Sequence, residues 1–90
     1  MPDASRHQPV KNRRDKMKTH VAADLSQRLI EIMRNLNDSI HFAQENCTED
    51  EFNDFRYRIA KVMGELVLEG MNPLYLNNPE VKPMEYMDYL

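Results

Sequence analysis

The spacing of apolar residues between positions 21 and 47 constrains the fold more than any other feature. Val21, Leu25, Leu29, Ile32, Leu36, Ile40, Ala43 and Cys47 follow one another at intervals of 4, 4, 3, 4, 4, 3 and 4 residues. This eleven-residue repeat corresponds to about 3.67 residues per turn, close to an unstrained α-helix. Projected on a helix, these side chains form one apolar stripe. Ala22 and Met33 widen one edge, while Ile30 and Phe42 lie off it on opposite flanks. The pattern predicts a long, straight, one-faced helix starting near Thr19, with Lys16–Lys18 able to extend it backwards.

The stripe stops at Asn46-Cys47-Thr48, and Thr48-Glu49-Asp50-Glu51 follows. This is a capping box, in which the Thr48 hydroxyl accepts from the Glu51 N–H and the Glu51 carboxylate accepts from the Thr48 N–H. Three carboxylates in the first turn also suit the positive end of a helix dipole. A connection this short sends the second helix back antiparallel to the first.

The second helix is predicted to run to about Glu69, with Gly70 as its C′ residue and Pro73 barring continuation. It has two apolar sides. Phe52, Phe55, Ile59, Val62, Met63 and Leu66 make the first. Tyr57, Ala60, Gly64, Val67, Leu68 and Met71 make the second, leaving only a narrow charged strip. A helix that is apolar over most of its circumference is a buried one. Glycine inside a helix costs about 1 kcal/mol relative to alanine. Close approach of another backbone at Ala60 and Gly64 is the compensation expected here.

After Pro73 come Pro79 and Pro83, which exclude a continuous helix and predict extended, turn-like or short-helix backbone. The end, from Met84 to Leu90, is too apolar for an idle tail. Three parts result: a flexible basic arm at 1–16, a helical hairpin at 17–71 with helices at about 17–46 and 49–69, and a C-terminal segment at 72–90. The expected class is all-α, an antiparallel two-helix hairpin. A lone hairpin buries little surface, so the second stripe needs cover. A symmetric dimer forming a four-helix bundle supplies it. The C-terminal segment folding back supplies part of it within one chain.

Charge is unevenly placed. Residues 1–18 hold six basic and two acidic side chains, net +4, and the remainder holds six basic and thirteen acidic, net −7. Lys11, Arg13, Arg14, Lys16 and Lys18 are therefore candidate nucleic-acid contacts through phosphate neutralisation. Against this, the body is acidic, the arm has no aromatic residue and neither helix has a basic face.

Catalytic and metal chemistry find little support. Asp38 and His41 have the i, i+3 spacing of helical di-metal sites, but they project away from the apolar stripe, where such ligands cannot converge. Cys47, at the end of the stripe, reads as a small core residue among acidic neighbours that oppose a thiolate. There is no Gly-rich phosphate loop and no G-x-S-x-G. No catalytic residue, metal or cofactor is expected.

A single cysteine points to a reducing, cytoplasmic setting. No apolar run is long enough to span a bilayer, and no membrane role is expected. The leading expectation is a non-enzymatic protein–protein interaction module, of adaptor, chaperone-like or regulatory kind. It would act as a homodimer through Tyr57, Ala60, Gly64, Val67, Leu68 and Met71. A heterologous protein partner is a further option, for which Asp88-Tyr89-Leu90 offers a C-terminal ligand of the acidic-x-apolar kind. The alternative is a nucleic-acid-associated regulator acting through the arm.

Overall fold

The computed structural model describes residues 17–84. The arm at 1–16 and the tail at 85–90 lie outside the described residues, so the expectations attached to them are not addressed by it. Helix α1 spans Thr19–Asn46 and α2 spans Glu49–Glu65. The turn between them is built as the sequence predicts. Thr48 Oγ1 accepts from the Glu51 N–H at 3.2 Å, and the Thr48 N–H donates to Glu51 Oε1 at 2.9 Å. The two helices pack in contact as a hairpin.

The end of the second helix departs from expectation. Over Leu66–Met71 the backbone widens into a π-helical turn, then returns to α geometry as α3, Asn72–Asn77. Gly70 is not a left-handed cap, since no described residue has positive φ. Pro73 does not end the helix either. In an uninterrupted α-helix its ring would press on the Glu69 carbonyl and leave that carbonyl without a donor. In the wide turn the Asn72 N–H donates instead to the Val67 carbonyl, five residues back. Pro73 then falls in the first turn of α3, where no N–H is required.

The extra residue also changes which side chains face inward. It sets the following helix back by about 100° relative to a continuous α-helix. Met71 and Tyr75 consequently turn toward α1 and bury with Val67 beside Ile30 and Met33. Leu29, Met63, Leu66, Leu74 and Val81 pack around this core.

Beyond α3 the chain closes back on the start of α1. The Asn78 N–H and Nδ2 both donate to the Leu74 carbonyl, at 2.9 and 3.0 Å, and a 3-10 turn follows at Pro79–Val81. Thr19 Oγ1 donates to Glu80 Oε2 at 3.3 Å. The buried Ser26 and Tyr75 hydroxyls share a hydrogen bond of 2.5 Å.

These contacts rotate the buried side of α1. Ala22, Ser26, Ile30 and Met33 are buried, although Ile30 falls off the sequence-predicted stripe. Val21, Leu25, Ile32 and Cys47, all on that stripe, are exposed. The cause is that α1 meets two partners. Near the hairpin turn it meets α2 alone and buries Ala43, with Leu36 and Ile40 half-buried. Near its start it meets the π turn and the 3-10 turn as well, which pull the buried side round toward Ser26 and Ile30.

Candidate interaction surface

The residues expected to form an intermolecular interface are divided by the fold. Val67 and Met71 are spent on the chain's own core, Met71 because the π turn rotates it inward. Tyr57, Ala60, Gly64 and Leu68 stay exposed on the outer side of α2 and the π turn. The Tyr57 ring already has a cationic neighbour, Lys61 Nζ, 4.7 Å from its centroid. A side-chain carbon placed on Gly64 would meet nothing within 4 Å, so no other described element of the chain approaches that glycine. The close backbone contact expected there does not occur among the described residues of one chain.

A second apolar surface appears where the sequence predicted hairpin packing. Val21, Leu25 and Ile32 on α1 are 38, 39 and 45% exposed, and Val62 on α2 is 49% exposed. At 100° per residue, the three α1 side chains lie roughly a quarter-turn or more from the buried centre of that helix. They occupy the flank opposite the one reached by Thr19, Ser26 and Ile30. The antiparallel course of α2 brings Val62 to this same open flank. Ile32 and Val62 are equidistant in sequence from Cys47, so they stand level across the hairpin. Leu29 and Leu66, half-buried, lie beneath them.

Charged residues rim this flank. Arg28 projects from the edge of α1 and pairs with Asp24 at 3.3 Å, both well exposed. Glu65 closes the edge of α2 and has no ion pair with a described residue. Arg58, about two turns toward the hairpin end, pairs with Asp54 at 3.0 Å.

The remaining sequence candidates are scattered. Of the basic residues proposed for nucleic-acid contact, Lys18 lies exposed at the N-cap of α1, and Lys11, Arg13, Arg14 and Lys16 lie outside the described residues. Asp38 and His41 are exposed, and no group of three or more His, Cys, Asp or Glu side chains is placed to hold a metal ion among the described residues. Asp38 borders a shallow depression at the hairpin end, lined also by Asn35, Ser39, Phe42, Cys47 and Phe55. Among the described residues, no helix is long and apolar enough to cross a membrane. Comparisons with protein-family models, curated proteins and solved structures give no match to this chain.

The aliphatic flank was only half legible in sequence. Its α1 members were visible as apolar residues in helical register, but the stripe was assigned to one neighbour. What separates covered from uncovered members is the return of residues 72–81 across the other side of α1.

Proposed function

We propose that this protein is a non-enzymatic helical interaction module that works as a homodimer. The observation that carries the reading is the open flank of Val21, Leu25, Ile32 and Val62 on a chain whose internal core is small. Burying apolar surface contributes about 25 cal/mol per Å², and small domains gain the most from covering what remains outside. A second copy is the one partner present wherever the chain itself is made, and closed two-fold assemblies are the commonest form of self-association. The residues named in the sequence for this role keep a secondary place. With Val67 and Met71 internal, Tyr57, Ala60, Gly64 and Leu68 form a narrower surface on the outside of α2.

Thermal unfolding of the full chain over a range of concentrations tests the reading. Coupled folding and association make the melting temperature rise with protein concentration. A melting temperature independent of concentration through the micromolar range contradicts it.

A further inference from the structure

We infer that the second copy sits on the open flank with α1 of one chain lying antiparallel on α2 of the other, about a two-fold axis parallel to the helices. This rests on the homodimer reading above and specifies its geometry. Three observations lead to it.

The first is level. A two-fold axis parallel to the helices preserves height along them. Ile32 and Val62, which stand level on neighbouring helices of one hairpin, are therefore exchanged. Ile32 of each copy meets Val62 of the other, and both exposed side chains are covered at once. The half-buried Leu29 and Leu66 pair in the same way one layer along. The result is a four-helix arrangement in which each helix has antiparallel neighbours only, the geometry in which such bundles interdigitate.

The second is charge. In this arrangement the outer edge of α1 meets the outer edge of α2 from the second copy. Arg28 then faces Glu65 of the second copy, with a small offset along the axis, and symmetry makes the pair twice. Glu65 has no ion pair with a described residue of its own chain. The alternative symmetric packing, α1 antiparallel on α1, places its midpoint between Arg28 and Leu29. It brings the two Arg28 side chains together on one edge, and like charges facing each other disfavour it.

The third is access. The opposite flank of α1 is closed by the chain's own Tyr75, Glu80 and Val81 contacts, so among the described residues this flank of α1 is the one left for another helix pair.

The test uses the full chain with Cys47→Ser, so that introduced thiols are the only ones. One preparation carries Ile32→Cys and a second, of distinguishable mass, carries Val62→Cys. Mixed under mild oxidation, they are expected to give a disulfide-linked heterodimer, with little linkage in either preparation alone. Linkage of the Ile32→Cys preparation to itself, or no linkage in a mixture that sediments as a dimer, overturns this geometry and leaves self-association standing. A monomeric mass for the unsubstituted chain ends both. Charge reversal supplies an independent reading. Arg28→Glu is expected to weaken the dimer several-fold, and adding Glu65→Arg to restore it. Equal weakening by the double variant, without recovery, counts against the arrangement.

Discussion

Ser26 and Tyr75 form one polar element of the interior, Asn78 being the other buried polar side chain among the described residues. Their hydroxyls are buried and satisfy one another across 49 positions of sequence. Removing one partner leaves the other desolvated, which costs about 1–3 kcal/mol. Tyr75→Phe is therefore expected to lower the urea midpoint by a matching amount at unchanged slope. The Ser26→Ala/Tyr75→Phe double variant should recover part of the loss. Gly64 makes the opposite case. It lies within α2 with open space where a side chain would sit, so Gly64→Ala is expected to stabilise by about 1 kcal/mol. The assembly mass should not change, because the proposed contact is on another side. Destabilisation, or a change of mass, would place the interface at Tyr57, Gly64 and Leu68 instead.

At the scale of elements, the hairpin turn and the π turn were unequally readable. The capping box announces itself because Thr48 and Glu51 satisfy each other over three residues, without help from the rest of the fold. The hairpin, its turn and the start of α2 were legible for that reason. The π turn is not local in this sense. Gly70 and Pro73 conflict with an α-helix, and ending the helix is the simplest resolution. Widening it by one residue is another, and it is favoured here because it brings Met71 and Tyr75 onto Ile30, Met33 and Ser26. Those rewards depend on distant residues, which periodicity along one helix cannot reveal. The same limit explains why Ile30 was misplaced, since its cover comes from residues 67–81.

The π turn makes its own prediction. If it is one residue inserted into a helix, deleting Glu69 together with Pro73→Ala should restore a continuous α-helix with its downstream faces unchanged. That variant is expected to keep its helical circular dichroism and a cooperative melt. Deleting Lys61 in the same Pro73→Ala background leaves Met71 and Tyr75 in register but rotates Met63 and Leu66 by about 100° off their contacts with α1. Loss of the cooperative melt is expected there. Similar behaviour of the two deletions would contradict the insertion account.

For the whole molecule, the consequence of these local choices is asymmetry. The C-terminal return closes one flank of α1 and leaves the other aliphatic. In the proposed dimer the surface is the α1–α2 flank rather than the second stripe of α2 expected from sequence. Exposed ion pairs contribute little individually, so in the proposed dimer the aliphatic contacts would carry the affinity and the rim charges would select the register. Sedimentation equilibrium of the full chain at micromolar concentration, alongside Ile32→Glu, tests this most directly. The account expects twice the 10.7 kDa chain mass for the unsubstituted protein and the single-chain mass for a still-helical Ile32→Glu. A compact, stable monomer without the substitution, or a dimer that Ile32→Glu leaves intact, would contradict it.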